Sequence, residues 1–560
     1  MPSPLVYAAD FETTTDENDC RVWAYGIAKI AAPDKVKFGT SVIEFLRELV
    51  KSNSTVYFHN LKFDGMFIIN ALLEQGYEWS PNRRLAPREF STLYSDTGKL
   101  YSINVRWSHK AVTEFRDSLK KLPLSVERMA KAFNLPEVKG ELDYHAYRAP
   151  GHKLTREEKD YIAADVTIVA RAVGETLAEG MNKLTIGADS LAEYKRIYGT
   201  KRFANTFPVL SDEWDDDIRA AYRGGYTYAD KRHSGKVLET PGQVYDVNSL
   251  YPSVMRLRRL PYGTPTRGVG RPPLGDDRLR IFRVTMTARL RKNHLPIIQL
   301  KKSFQFHESE YLERIDEPHT VSVTNVDWEM WNKHYVIDVH AWHGYYEFDS
   351  ALGLFDDYID KWMDVKANSV GGKREIAKLH LNSLYGKFAT SRDITGKYPI
   401  LADDGSVKWV RGEKETRPPI YTAMGVFITS YARETMITAA QENYDIFAYC
   451  DTDSLHVLGE QPPKGISIHE SELGAWKHEG NFDRAKYLRA KAYAERIIWE
   501  PKHGSIPPRM DVKLAGVPVG LSAKLSFDDL SPGTVIHGKL VPRNVPGGVV
   551  LKESPYEIKL

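Results

Sequence analysis

The chain has 560 residues, a net charge of +3 and two cysteines, Cys20 and Cys450. A length beyond roughly 250–300 residues exceeds what one core usually supports, so several domains are expected, and a hydrophobic fraction of 42% with 27% charged residues is that of a globular protein. Two cysteines exclude a disulfide framework and a cysteine-built zinc site, no apolar run reaches the roughly 18 residues of a membrane helix, and so mild a positive charge does not by itself point to nucleic acid. The start, MPSPLVYAADFE, carries neither a basic leader nor a cleavable apolar stretch. A reducing cytoplasm fits, with Cys450 read as a small buried hydrophobe.

Up to about residue 185 the chain alternates strand and helix patterns, as an α/β unit does. Leu5–Phe11 and Val56–Phe58 read as strands, and a helix is predicted from Arg156 to about Leu177, with Thr155 as N-cap and Glu157 and Glu158 in its first turn. Between 256 and 300 Pro and Gly dominate, and LPYGTPTRGVGRPPLGDD predicts a loop or domain junction. A helix from about Phe355 to Val365 is broken after Ser369, and a second runs from about Lys373 to Phe388. In YPILADDGSVKWV two strand-like runs flank Asp404 and Gly405, a hairpin signal because glycine supplies the positive φ of a tight turn. RAKYLRAKAY suits an amphipathic helix or a strand with a basic edge, 500–511 a short loop, and Val549–Lys552 a final strand.

The stretch YCDTDSLHV places Asp451 and Asp453 one residue apart between apolar neighbours (Ile446, Phe447, Ala448, Leu455, Val457). Two like charges in a strand are unfavourable unless a cation offsets them, and magnesium is usually held by one or two carboxylates plus substrate phosphates. QVYDVNSLYPSVM adds Asp246 in an apolar run that includes Val244, Tyr245, Val247, Leu250 and Tyr251. On neighbouring strands these carboxylates could hold two ions roughly 3.5–4 Å apart, an arrangement that activates an attacking hydroxyl and neutralises leaving phosphates. In KREIAKLHLNSLYGKF, helical spacing sets Arg374, Lys378, Asn382 and Tyr385 on one face. Two cations a turn apart suit a triphosphate and an aromatic suits a base or sugar, although such a face taken alone is more often merely solvated.

A second acidic set lies near the N-terminus. Asp10 and Glu12 are two apart on a strand and share a face; Asn60 and Asp64 follow the strand Val56–Phe58; Tyr161 and Asp165, four apart, share a helix face. Four carboxylates from three elements predict another two-metal site, with Tyr161 placed to orient an attacking water. A lone helical Asp is usually a surface residue, but three spaced segments on an α/β pattern argue otherwise.

The stretches around Asp246, Lys378 and Asp451–Asp453 resemble, in order, the DxxSLYPS, KxxxNSxYG and YxDTDS motifs of family B DNA polymerases. The resemblance implies Asp246 and Asp453 as metal ligands, with Asp451 beside them as a catalytic carboxylate. It implies a nucleotide site made by Val247, Tyr251, Lys366, Arg374, Lys378, Asn382 and Tyr385. Lys378 would bind the triphosphate, and Tyr251 would sit below the sugar to exclude a ribose 2′-hydroxyl; a plain core aromatic would serve the same pattern. DxE, NxxxFD and YxxxD resemble the 3′–5′ exonuclease domain of the same enzymes. This carries over Asp10, Glu12, Asp64 and Asp165 as metal-site residues and Tyr161 as the water-positioning group. His59, Asn60 and Phe63, with Ser118 and Leu119 of DSLKKLP, would hold the single-stranded primer end, and Lys139 would lie near the scissile phosphate. A packed loop histidine and a solvated lysine are the plain alternatives for His59 and Lys139.

AYRGGYT resembles the YxGG segment that contacts template DNA, which implies DNA-binding roles for Tyr222, Arg223, Gly224 and Gly225; glycines allow close backbone approach. Lys491 and Tyr493 resemble a KxY motif that steadies the primer terminus, within a stretch where Lys486, Arg489 and Tyr487 add charge and rings suited to a nucleic-acid backbone. With the short chain and two insertions, these features resemble the protein-primed family B polymerases of phages, the phi-twenty-nine-like group. The fold class so implied is α/β and α+β multidomain, an RNase H-like 3′–5′ exonuclease domain plus a right-hand polymerase of palm, fingers and thumb with two insertions. The expected boundaries are 1–185 exonuclease; 186–257 and 422–518 palm; 258–353 a first insertion that meets the terminal protein; 354–389 fingers; 390–421 a hairpin insertion for processivity and strand displacement; and 519–560 thumb. The implied cofactor is magnesium, two ions per active site, with manganese as a substitute. The implied partners are DNA template and primer, deoxynucleoside triphosphates and a terminal priming protein, with no membrane. A monomer in the cytoplasm of an infected host is expected. The rival readings are a DNA-binding exonuclease, or a replication scaffold without polymerisation.

Overall fold

The computed structural model describes residues 4–137, 142–144, 146–300 and 311–559. The N-terminal unit is built on one eight-stranded sheet in the spatial order 32–39, 22–29, 5–13, 54–58, 112–117, 100–106, 89–94, 78–79. Leu5–Thr13 runs parallel to Ser54–Phe58, which runs parallel to Val112–Asp117. Strands in such a centre are covered on both faces and read as continuous apolar runs. Val22–Lys29, antiparallel to Leu5–Thr13, is likewise covered on both faces: Val22, Tyr25 and Ile27 join the core shared by the Val42–Leu49 and Leu61–Glu74 helices, and Trp23, Ala24 and Ala28 that of the Arg156–Ala178 helix. That second helix starts where Thr155 and Glu158 cap each other, the Thr155 side chain accepting from the Glu158 N–H and the Glu158 carboxylate from the Thr155 N–H. The aligned strands bring Asp10 and Glu12, the His59–Asn60 turn and Ser118 to one edge of the sheet. Ligands of such sheets bind outside the carboxyl ends of parallel strands.

A second large sheet follows the order 504–514, 492–500, 476–489, 242–247, 454–458, 447–451, 227–229. The buried helix Thr422–Glu442 packs beside it, and the helices Asp356–Asn368 and Gly371–Ser383 form a pair nearby. The sheet curls, so that Val237–Leu238 pairs with 485–486 and the interior collects Tyr449, Phe482, Ala485 and Tyr487. A third, four-stranded sheet, ordered 260–268, 335–351, 279–290, 314–324, carries the helix Asn325–His334. Asp393–Leu401 and Val407–Thr416 form a hairpin turning at Gly405, whose φ is +81°.

The hairpin packs on the N-terminal unit. Tyr398 stacks on Trp79 with ring centroids 4.9 Å apart, and Trp409 on Tyr94 at 3.9 Å. Asn70 Nδ2 donates to the Gly405 carbonyl at 3.0 Å, and Asn544 Nδ2 to the Val407 carbonyl at 2.7 Å. Val407, Val545, Val549 and Val550 belong to the same buried core as the first sheet. The hairpin, the C-terminal strands Leu540–Val545 and Gly548–Glu553, and the N-terminal unit therefore meet at one junction.

Two stretches differ from the sequence expectation. The Pro-rich run after 256 forms the strand Leu260–Gly268, and 504–514 is a strand where a loop is expected. Both are edge strands, where proline's missing N–H faces no partner, and both ladders skip residues near their prolines. The helix expected from about Lys373 to Phe388 also departs from expectation: it begins at Gly371 and breaks after Ser383, leaving Tyr385–Phe388 as a separate turn.

Candidate active sites

The polymerase-like carboxylates converge. Asp246 pairs in register with Ser454 and Asp451 with the same Ser454, and the Val247 N–H donates to the Asp453 carbonyl at 2.8 Å. Without a cation, burial and the neighbouring Asp453 push the Asp246 carboxyl up to about 7, and burial and Asp451 push Asp453 up as well. Asp451 is held differently. Its Oδ1 accepts from Lys491 Nζ at 2.6 Å and Thr227 Oγ1 at 3.0 Å, and its Oδ2 from the Tyr449 hydroxyl at 3.3 Å. Asp453 thus stands between Asp246, which it crowds, and Asp451, which crowds it but is already paired with a cation. Lys491 is 40 residues from Asp451, and no spacing rule could link them.

The turn between the acidic strands is strained. Thr452 has φ +62°, a region that β-branched residues rarely enter. Its N–H donates to the Tyr226 carbonyl at 2.8 Å. A Cβ on Gly225 would meet Thr452 Cγ2 at 2.9 Å and its Cα at 3.3 Å, so only glycine lets that segment lie against the turn. Ser249 (φ +56°) and Asn60 (φ +77°) hold the same unusual backbone beside the two acidic sets. Such conformations cluster at functional sites because the surroundings must impose them.

Near Asp453, the Tyr251 and Tyr385 rings stack at 3.9 Å with 20° between planes. Tyr222 is half-buried and senses Tyr385 electrostatically. Lys366 Nζ lies 3.4 Å from Ser249 Oγ. Burial, then Arg374 and Lys378, lower its ammonium, which marks three cations drawn together. Arg374 Nη1 donates to the Lys366 carbonyl at 2.6 Å, and Lys378 pairs with Glu375 at 2.5 Å. Asn382 is exposed on the same helix. Val247 is 1% exposed, and its N–H, donated to the Asp453 carbonyl, ties the two acidic strands together.

Other expectations need correction. Arg223, expected to contact DNA, turns into the protein. Its side chain is 7% exposed, donates to the carbonyls of Gln299 (3.2 Å), Ala221 (3.1 Å) and Ser322 (3.0 Å), and lies over the Trp331 ring. Burial lowers its guanidinium to about 10. Of that segment, Gly224 is exposed. Lys486 is also buried, donating to the Phe527 carbonyl and to Ser531 Oγ, and Tyr487 is wholly buried. Lys491 is exposed at the tip of a strand hairpin, with Tyr493 half-buried behind it.

In the N-terminal unit, Asp64 is 4% exposed. Burial, then Asp10, raise its carboxyl well above the ordinary range, although it accepts from the Phe11 N–H. The Tyr161 hydroxyl is 2.6 Å from that of Tyr144. Its pKa is raised by burial, Tyr144, Asp165 and Glu12, which places those carboxylates around it. His59 bridges Ser118 Oγ (2.9 Å) and the Leu124 carbonyl (2.8 Å), so the imidazole is packed into the loop. Asp117 accepts from the N–H groups of Asn60 and Leu119 and fixes both segments. Phe63 is half-buried against Phe67. Lys139 lies outside the described residues.

The donors are oxygen-only, and in both sets burial and mutual repulsion disfavour the ionised state, the condition a divalent cation relieves. Among the described residues no three acidic, imidazole or thiol groups enclose one point. A magnesium site completed by substrate phosphates does not require such a cage.

Comparisons with known proteins agree with this geometry. The family described as DNA polymerase type B, organellar and viral, matches residues 46–153 and 147–471. The DNA polymerase of Bacillus phage Nf is 43% identical over 574 residues and that of Bacillus phage phi29 is 41% identical over 576, each with 100% of both chains covered. That of Streptococcus phage Cp-1 is 33% identical, with 99% of this chain and 98% of the relative covered. The solved phi29 DNA polymerase complexed with primer-template DNA and incoming nucleotide substrates superposes with a TM-score of 0.94 at 41% identity over both whole chains.

Proposed function

Because the chain belongs to the type B DNA polymerases of viruses and organelles, in the phi29-like phage group, and is thus a template-directed DNA polymerase with the fold of an exonuclease domain plus palm, fingers and thumb, we propose that it copies DNA by two-metal nucleotidyl transfer at Asp246 and Asp453 and proofreads at Asp10, Glu12, Asp64 and Asp165. The observation that carries this reading is the crowding of Asp246 and Asp453 on hydrogen-bonded strands, with the carboxyl of Asp246 driven up to about 7. Magnesium, or manganese in its place, supplies charge neutralisation and an acidified hydroxyl when two ions are bound. The chain's own groups do the positioning. Lys378, Arg374 and Lys366 take the triphosphate, Tyr251 and Tyr385 pack the sugar and base, and Lys491 steadies the primer terminus through its contact with Asp451. The primer hydroxyl attacks the α-phosphate in line and pyrophosphate leaves, most of the acceleration coming from alignment and charge. In the other site Tyr161 orients the water that removes a frayed 3′ nucleotide.

The partners follow from the relatives' complexes, which hold primer-template DNA, nucleotides or single-stranded DNA. We assign 1–185 to proofreading, 186–257 and 422–518 to the palm, 354–389 to the fingers and 519–560 to the thumb. The 258–353 insertion would receive a terminal priming protein, and the 390–421 hairpin would support processive strand displacement on a linear phage genome. Among the described residues no helix is long and apolar enough to cross a membrane, and work in the host cytoplasm is consistent with that. The test is separation of function: Asp453→Ala abolishes primer extension and spares 3′-end degradation, and Asp10→Ala with Glu12→Ala does the reverse. Extension that survives Asp453→Ala defeats the reading. A parallel reaction with a candidate terminal protein and no DNA primer tests priming.

A further inference from the structure

The Thr452-Asp453 turn carries a strained residue and yet must hold its carboxylate still. Backbone strain persists only where surroundings over-determine it. Beneath the turn, a chain of polar side chains that no step of nucleotide transfer uses runs into the sheet. Ser454 Oγ lies 3.2 Å from His456 Nε2 and 3.4 Å from the Asp451 carbonyl, to which it can donate. His456 Nδ1 lies 2.6 Å from Glu495 Oε1, and the Tyr487 hydroxyl donates to that same oxygen at 2.5 Å. His456 and Glu495 are each 2% exposed and Tyr487 is fully buried.

The surroundings make this a built arrangement. Ser454 and His456 alternate with the apolar Leu455 and Val457, so both point to one face of their strand. The curl of the sheet carries Glu495 back over that face. Ala485 stands opposite Glu495 in register and leaves the carboxylate room. The rings of Tyr449, Tyr493 and Tyr487 surround the imidazole at 5.1, 5.3 and 6.1 Å, and the hydroxyl of Tyr449 continues to Asp451 Oδ2. In metal sites a buried carboxylate behind an imidazole fixes the ring's orientation; here the ring so fixed meets Ser454 rather than a metal.

We propose that His456, oriented by Glu495, is a positioning residue for nucleotide transfer: through Ser454 and the tyrosine cage it fixes the turn that presents Asp451 and Asp453. The proposal rests on the polymerase reading of that turn. It touches neither substrate nor the exonuclease site, so it predicts a selective defect.

The experiment uses the full chain. His456→Phe keeps a ring and removes both polar contacts; His456→Gln keeps reach toward Ser454; Glu495→Gln keeps the shape and one acceptor should the first variant fold poorly. Primer extension gives kcat and nucleotide KM, degradation of single-stranded DNA is the internal control, and Mn2+ titration by electron paramagnetic resonance with amide exchange over 449–456 reports the turn without turnover. For His456→Phe and Glu495→Gln we expect kcat and Mn2+ affinity to fall by about 10–100-fold, the range for groups that orient metal ligands, with KM and exonuclease within about twofold and exchange at 451–454 faster. His456→Gln recovers part of the loss. Unchanged Mn2+ binding and exchange, or equal losses in both activities, overturns the proposal. Asp453→Ala is run alongside: if it too leaves extension intact, the polymerase reading has failed, whereas if it alone abolishes extension, only the role of His456 has.

Discussion

Two guanidiniums share one buried carboxylate between the third sheet and the catalytic one. Asp327 is 2% exposed; its Oδ1 accepts from Arg433 Nε at 3.0 Å, and its Oδ2 from Arg433 Nη2 at 2.6 Å, Ser430 Oγ at 2.8 Å and Thr324 Oγ1 at 3.0 Å. Arg433 Nη1 then donates to the carbonyls of Arg223 and Gly224 at 2.7 and 2.8 Å, and Arg223 also senses Asp327. Asp327→Asn leaves both cations buried without a counter-charge and turns an amide N–H toward Arg433. Breaking a buried pair from one side costs about 3–5 kcal/mol. At roughly 2–4 °C per kcal/mol, the figure for a cooperative unit of about 150–250 residues, the melting transition of the unit that holds Asp327 should fall on the order of 10 °C. Removing one of the two orphaned charges as well, in Asp327→Leu with Arg433→Met, should recover part of that loss, the rest staying with the buried Arg223. Calorimetric or fluorescence melting at several scan rates reads both, since large chains often unfold irreversibly. A single variant that melts within about 2 °C of the parent, or a double variant worse than the single, refutes the reasoning.

Arg223→Ala should destabilise the fold but leave the dependence of log K on log salt for DNA binding unchanged; a slope reduced by about 0.7–0.9, one phosphate's worth, would contradict its burial. With Asp246 held up to about 7 without a cation, metal must displace a proton below that pH. The Mg2+ half-saturation for primer extension should therefore rise about tenfold per unit as pH falls below 7 and level off above it. For the cation-free protein the sign is opposite to that of a paired acid: a raised carboxyl favours the fold at low pH, so stability is lost as pH rises from about 4 through about 7 and returns with Mg2+. Tyr398→Ala with Trp409→Ala removes two stacked pairs, each contributing about 0.5–1.5 kcal/mol beyond area burial. Extension should continue on a single-stranded template but stall at a duplex, and protease should cut within 393–416; equal extension on both templates would contradict the hairpin's role. Tyr251→Val should lower discrimination against ribonucleotides by roughly 10–200-fold, read from competing incorporation.

Where neighbouring residues state the physics, the chain was legible. Thr155 with Glu158, and Asp404 with Gly405, set a helix start and a hairpin turn by local hydrogen bonds and backbone freedom alone. The paired acids at 10 and 12 and at 451 and 453 announced themselves because like charges so close together need a reason. What stayed hidden depends on which faces the fold buries. Arg223 sits in a motif that reads as phosphate-binding, and only the packing of Trp331 and the distant carbonyls of Gln299 and Ser322 turn it inward. Prolines 261, 265, 507 and 508 signal loops, yet an edge strand tolerates them. Lys491 with Asp451, and His456 with Glu495, are long-range pairs made by the curl of one sheet, which no local pattern encodes.

The account rests on two separate oxygen-lined cation sites. Anomalous diffraction from a Mn2+-soaked crystal of this chain with primer-template DNA and a non-hydrolysable nucleotide addresses it directly. Manganese peaks bound by Asp246 and Asp453, and a second group among Asp10, Glu12, Asp64 and Asp165, are the predicted result. Manganese absent from Asp246 and Asp453 with nucleotide in place, or held by Asp451 alone, would contradict it.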